Sequence, residues 1–453
     1  MKKIVYIVIL TVIITMFTGI KIYANSEIPQ YDETYDNGKG IFYANGSTIT
    51  IKEDDIGNTV VYWDGGQQIV PQTVRIIGGG EEGSNFSQSN IIMESGVVSH
   101  IYGGGASLNE NNLAVVEKSN IIMNGGTILQ TIYGGGLLFT NTTEANITIN
   151  NGNVKSICGG GSAAATISAT TYAAGISTDL QNSKNRTQTT SITINGGTVE
   201  SSIFGGGQGY SYVGNSTIKI NAGDLSAAYV VAGGSNGYTN NSNVQISGGQ
   251  IYAFQTVNRG EMENAIVRID GGSIETAYVG GENDSSVTGI INNIDFAILK
   301  GNVTNLYPGV SAENPITIDQ NEYKVAVVEG TVENSQLSEQ EVKIQYEFNI
   351  LEDSIKIERN RNYEIQTQIN TIPTGYEHLF NNEKISWNSS DTTVVTIDEN
   401  GSATGITKGN GTITANFLEE QDAIEVQVID TLEIVLIIVL IGIVPVLIWY
   451  NIE

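Results

Sequence analysis

A phrase that recurs through more than half of the chain constrains its fold more than any other feature. It reads SNIIMNGGTILQTIYGGG from Ser119, SNIIMESGVVSHIYGGG from Ser89, ANITINNGNVKSICGGG from Ala145 and TSITINGGTVESSIFGGG from Thr190, with looser copies from Ser216, Ser242, Ala265 and Phe296. Self-similarity at a spacing of about 25 residues marks a solenoid, each repeat being one supersecondary unit stacked on the next. Within the phrase, apolar side chains stand two apart, as at Ile121 and Met123, Ile147 and Ile149, or Ile192 and Ile194. That is the period of a strand with one buried face. A Gly pair follows, such as Gly125 and Gly126 or Gly196 and Gly197, supplying the positive φ of a tight corner. Ile128, Val154, Val199 or Leu225 then opens a second strand, which ends in the full copies on Tyr102, Tyr133, Cys158 or Phe204 and a Gly run that turns the chain again. Strand, corner, strand and corner make one coil of a parallel β-helix.

One coil cannot fold alone. Its four or so inward side chains offer about 1.5 to 3 kcal/mol each, against about 1 to 2 kcal/mol per residue for ordering the backbone, so stacking supplies the rest. The composition suits such a chain, with 53 Gly and only 15% charged residues. The formal net charge of −27 repels nucleic acid and anionic headgroups and leaves a polycation, a neutral glycan or divalent ions as partners.

Taken in order, residues 1–24 carry Lys2 and Lys3, an apolar run and Ala24 before Asn25, the pattern of a secretory signal peptide. Residues 25–64 read as the cap that a solenoid needs over its first coil, residues 65–309 as the β-helix repeats, and residues 310–340 as last coil, cap and linker. Insertions fall mainly after the GGG corner, at residues 106–118, 162–189 and 208–215, so they leave one edge of the solenoid, where such folds often bind. Tyr172, Tyr210, Tyr212 and Tyr238 lie in or near these insertions and are the candidate ligand-binding residues, because exposed aromatic faces stack on sugar rings.

No catalytic, cofactor or metal residue emerges. Asp54 and Asp55 are adjacent on a strand pattern and so point to opposite faces. Glu200 and Glu275 hold equivalent places three coils apart, about 14 Å, beyond the roughly 5 to 9.5 Å between glycosidase carboxylates. Parallel β-helices are also the fold of pectate lyases and polygalacturonases, a resemblance that would imply clustered acids; the outward positions Ile92, Ile122, Thr148, Thr193, Lys219, Gln245 and Arg268 hold none. Cys158 stands in the column of Tyr102, Tyr133 and Phe204 and reads as a buried spacer. His100 and His378, the two histidines, fit no metal-ligand or Ser/His/Asp spacing.

From residue 341 to 430 the pattern changes to longer alternating strands. Trp387, Ser389, Ser390, Asp391, Val395, Ile397, Asp398, Gly401, Gly405, Gly409, Gly411, Ile413, Ala415 and Val428 resemble the bacterial immunoglobulin-like domain of group 2. The resemblance implies a β-sandwich common in bacterial surface proteins, sometimes in adhesins, with Trp387 in its core. The repeats themselves resemble the GGG-type β-helix repeats of adhesin-like bacterial surface proteins. Finally, residues 431–453 contain the apolar run Ile434 to Tyr450, about 26 Å as a helix, close to the roughly 30 Å of a bilayer core, and read as a C-terminal transmembrane anchor. The expected fold is therefore all-β: a parallel β-helix, expected to be right-handed, then an immunoglobulin-like sandwich and a C-terminal transmembrane helix. The expected function is that of a non-enzymatic, adhesin-like cell-surface protein, anchored in the cytoplasmic membrane and binding a glycan, a cell-wall polymer or a protein through one solenoid edge. A wall-zone scaffold is the alternative, and a polysaccharide lyase or glycoside hydrolase the remote one.

Overall fold

In the computed structural model of the chain, the structure describes residues 28–167, 170–173, 180–281, 290–308, 323–337, 340–381 and 383–430, with backbone only at 165–167, 170–173 and 180. The chain divides into two compact units between Val342 and Lys343, each treated by itself.

The first unit is built from stacked coils. Each recurring strand pairs in parallel with its counterpart one repeat on, and in the first strand the register places Ile121 between Ile91 and Ile147, then continues through Ile192, Ile218, Val244, Val267, Phe296 and Val325. These side chains are buried and form one continuous core with the second-strand residues Ile128, Val154, Val199, Leu225, Ile251 and Ile274. Like residues stack on like because the alternating pattern allows only one register that keeps every apolar side chain inside.

The first strand is longer than the alternation of the repeat suggests. It runs over Ala114–Met123, Thr140–Ile149 and Asn185–Ile194, so residues 114–118, within the expected insertion, are strand. Their inward column passes through Val116, Thr142, Thr187, Val213 and Thr239, all buried. The two Gly motifs also do different work. In the Gly pair the second residue has positive φ, +87° at Gly126 and +79° at Gly197, as a corner requires. The GGG run instead crosses close to the start of the first strand. A Cβ on Gly135 would meet Thr187 Oγ1 at 2.5 Å and the amide nitrogen of Gly161 at 2.7 Å. Only glycine lets the coil close so tightly.

Outside the core, an asparagine ladder climbs the Gly-pair corner. Asn124 Nδ2 donates to Glu94 Oε1 (3.0 Å), Asn150 to Asn124 Oδ1 (2.8 Å), Asn195 to Asn150 (2.9 Å) and Asn221 to Asn195 (2.8 Å). Replacing Asn150 by Ala breaks two rungs. Because the rungs are exposed, we expect a loss of about 1 kcal/mol, read as a lower urea midpoint; an unchanged midpoint would show that water replaces the ladder at no cost.

At the start of the unit, Thr48–Glu53, Thr59–Trp63 and Gly66–Val70 form an antiparallel meander, and Thr48–Glu53 also pairs in parallel with Asn85–Met93. The meander covers the first coil. Its tight turn is held by Asp54, whose carboxylate accepts hydrogen bonds from the backbone of Ile56 and Asn58 and from Asn58 Nδ2. These bonds, Asn58 first, hold the Asp54 carboxyl below its usual range, and they give this acid a structural task.

The second unit is a β-sandwich. Ser354–Glu358, Glu420–Ile429, Gly409–Phe417 and Ser386–Ser389 make one sheet; Asn362–Glu364, Ser402–Gly405 and Val395–Ile397 make another, beside a pair formed by Gln345–Ile350 and Thr367–Ile372. Ile355, Ile357, Val395, Ile413, Ala415, Phe417, Ile424 and Val426 are buried. Trp387 is only half-buried, lying against Gly401, where a Cβ would meet its ring at 2.9 Å. It is a rim residue and not the core residue expected.

Two expectations fall outside or against the structure. The signal peptide at 1–24 and the apolar run Ile434 to Tyr450 lie outside the described residues. Among the described residues no helix is long and apolar enough to cross a membrane. Over the described residues the fold is accordingly corrected to all-β with no membrane-spanning helix, and the membrane-anchored location that rested on that helix is withdrawn. Its ground was the length and apolarity of that run alone.

Candidate functional site

The edge beyond the GGG corner is where the coils depart most from one another. Ala106–Ser107 pairs in parallel with Leu137–Leu138, and single bridges continue the line from Leu137 to Ser162, Gln208 and Ser235. The loops that follow fold back over the outward column of the second strand. Tyr102, Tyr133 and Cys158 are buried there beneath Ala106, Leu137, Leu138 and Ala163, with Phe204 packed alongside, as a second, outer core. Tyr102 and Tyr133 stack with centroids 4.7 Å apart, and the Tyr133 hydroxyl donates to Gln208. Burial pushes the Cys158 thiol up, far from thiolate character.

One turn of this edge is fixed by a buried amide. Asn185 Nδ2 donates to the carbonyl of Leu138 (2.6 Å), and the carbonyls of Gly136 and Ser162 lie within 3.3 Å. Leu138 itself has φ of +61°, a conformation costly for a side-chain-bearing residue and held by such over-determined surroundings.

The four candidate tyrosines do not form one open face. Tyr210 is 38% exposed. Tyr212 lies in register between Arg186 and Tyr238. The Arg186 guanidinium carbon is 3.7 Å from its ring centroid, and the Tyr238 ring is stacked at 5.6 Å with 9° between planes. Tyr238 is buried, so the expectation that its ring is free for a ligand is corrected; its hydroxyl donates to Glu263 Oε1 at 3.0 Å. Burial, then that bond and the Glu263 charge, raise the Tyr238 phenol to about 12. Tyr172 lies on Thr170–Ala173, whose backbone forms an antiparallel hairpin with Ala164–Ile167 and pairs Tyr172 with Ala165. Arg186, Tyr212 and Tyr238 thus make a rigid stack, and Tyr210, two residues from Tyr212, offers the open aromatic surface.

An aromatic patch that the repeat pattern did not single out lies on the second strand. Tyr252 is 39% exposed and meets Tyr229 edge-on at 5.3 Å. A shallow groove beside it is lined by Ser226, Gln250, Ser273, Glu275 and Thr304. The signal was present in the alternation of Ile251, Tyr252 and Ala253, which points Tyr252 outward. Ser226 and Tyr252 occupy the coils between Glu200 and Glu275, which therefore remain apart. Among the described residues, no group of three or more His, Cys, Asp or Glu is arranged to hold a metal ion.

Comparison with known proteins bears on the sandwich. Residues 373–426 match the bacterial Ig-like domain (group 2). A bacterial Ig-like domain points to a surface or adhesion-type protein. The match covers the strands that contain Trp387, Val395, Ala403 and Ile413 and stops inside the long strand Glu420–Ile429. No curated protein and no solved structure matches the chain.

Proposed function

We propose that this chain is a non-enzymatic contact protein whose coiled unit binds a glycan through the edge beyond the GGG corners. The observation that carries the reading is the open ring of Tyr210 beside the Arg186, Tyr212 and Tyr238 stack. A preorganised aromatic platform loses little entropy when a sugar face settles on it. The bacterial Ig-like domain supports a surface role. The scaffold reading draws on a different observation, the outer core in which the loops pack onto their own coils and leave little side chain free.

A glycan array probed with the full chain tests this. Tyr210→Ala is the variant of choice, since Tyr238 is structural and its loss would disturb the stack. We expect binding to a restricted set of glycans, weakened about tenfold or more by Tyr210→Ala. Binding that the variant leaves intact would place the site away from Tyr210, and no binding at all would move the assignment to a scaffold with a protein partner.

A further inference from the structure

The first coils hold a cavity of ≈ 240 Å³ that the glycan reading does not use. Its walls come from three distant stretches: the segment from Asp32 to Tyr43, the Glu81–Glu82 turn, and the loops at Leu108 and Leu137. Ile41, Ala106 and Leu137 give it an apolar floor continuous with the outer core. Tyr43 is only 8% exposed, lines the cavity, and its hydroxyl has no hydrogen-bond partner among the described residues. That hydroxyl opens into the cavity, where it is free to meet a ligand.

The rim is acidic. Asp32, Glu81 and Glu82 are exposed around it, and none of them has a salt-bridge partner among the described residues. Glu82 is held in place by Asn109 Nδ2, 2.7 Å from its Oε1. Asp32 accepts from the backbone and hydroxyl of Thr34, which keeps it below its usual range and ionised. The nearby cations Lys39 and Arg75 are drawn to the buried Asp36, at 3.0 and 2.9 Å, and line no part of the cavity. Beyond burial, Glu81, Tyr35 and Asp32 push the Tyr43 phenol further up, so the negative field reaches the cavity interior.

The chemistry of the occupant follows. The carboxylates do not converge on a point as metal ligands would. They ring an apolar hollow, an arrangement that fits a charge carried on a hydrocarbon stem, with the ammonium at the rim. We propose that this cavity binds a protonated primary amine on an aliphatic stem, its N–H groups donating to the rim carboxylates and to the Tyr43 oxygen. The cavity has room for one such chain and not for a drug-sized ligand.

Isothermal titration of the full chain with cadaverine, Nα-acetyl-lysine amide and 1-pentanol tests the assignment. We expect saturable binding of an amine at one per chain, no binding of 1-pentanol, and affinity that falls as salt rises. Glu81→Gln, on an exposed turn, should weaken binding about tenfold, and Tyr43→Phe about fivefold. Binding of both amines would identify free aliphatic amines as ligands; binding of the lysine derivative alone would identify a polypeptide side chain. Unsaturable uptake, or binding that Glu81→Gln leaves unchanged, would reduce the site to general acidity and overturn the proposal, as would no binding at all. Equal melting temperatures of the variants and the parent exclude misfolding as the cause of a loss.

Discussion

Gly134→Ala is expected to destabilise the coiled unit by about 3 kcal/mol, a large part of the stability of an ordinary domain. Gly134 N donates to the carbonyl of Cys158 (2.9 Å) as a rung of the parallel ladder, so its backbone cannot withdraw without breaking the pairing. A Cβ there would overlap the carbonyl oxygen of Gly159 and come within 2.9 Å of the Cβ of Ala145. Both groups belong to the next coil, one of them backbone, and neither is a flexible side-chain tip that can move aside. The control is Gly65→Ala. Gly65 has φ of +91° with nothing near its missing Cβ, so it pays only the conformational cost of about 1 to 2 kcal/mol. Urea unfolding of both variants separates the two effects. If Gly134→Ala costs no more than Gly65→Ala, close approach of the coils is not what demands glycine at the GGG run.

That contrast also shows what the chain's pattern reveals and what it conceals. Period-two alternation at Ile121 and Met123, repeated at every coil, is sufficient to place the core columns, because only one face of a strand can hold them. The same logic hides the strand at residues 114–118, whose inward neighbours Thr142 and Thr187 look solvent-facing by residue type. They are inside because the GGG run passes directly over them, and a small side chain is what the narrow interior admits. Glycine itself is ambiguous in sequence: the same letter serves positive φ at Gly126 and close approach at Gly135. The sandwich was legible through the spacing of Trp387, Asp391, Gly401 and Gly409, although the burial of Trp387 was not.

The candidate surfaces were less legible still. Tyr210, Tyr212 and Tyr238 share a residue type and neighbourhood, yet one is open, one is sandwiched and one is buried, depending on which side chain the adjacent coil places against each ring. The amine cavity has no local motif at all, since Asp32, Glu81 and Leu137 meet only when the first coils stack.

The second large effect is a dependence of stability on pH that passes through His100. The ring is partly buried and stacked on Tyr102 at 5.9 Å, with its Nδ1 2.8 Å from Ser99 Oγ. Burial first, then Arg75 and Lys39, with a smaller contribution from Lys155, lower its pKa to about 3, against a weaker opposing pull from Asp36. In the unfolded chain the same imidazole titrates near its ordinary value of about 6.5. Between those two values the unfolded state binds the proton and the folded state does not, so the fold loses stability as pH falls from about 6.5 toward 3. Above that window His100 contributes no slope. The ceiling is about 1.4 kcal/mol per pH unit; with solvent reaching part of the ring, about half of that is expected. Carboxylates such as Asp54 and Asp391, held low by hydrogen bonds to Asn58 and Thr393, also lose stabilisation as acid protonates them, and their effect is common to the parent and a His100 variant. His100→Thr, which installs the residue that Thr131 provides in the next coil, removes only the imidazole. Unfolding free energies at pH 7 and pH 4 should therefore fall by about 2 kcal/mol more in the parent than in His100→Thr. An equal fall in the two would mean that Ser99, Tyr102 and the surrounding charges accommodate the imidazolium, and that the acid sensitivity belongs to the carboxylates alone.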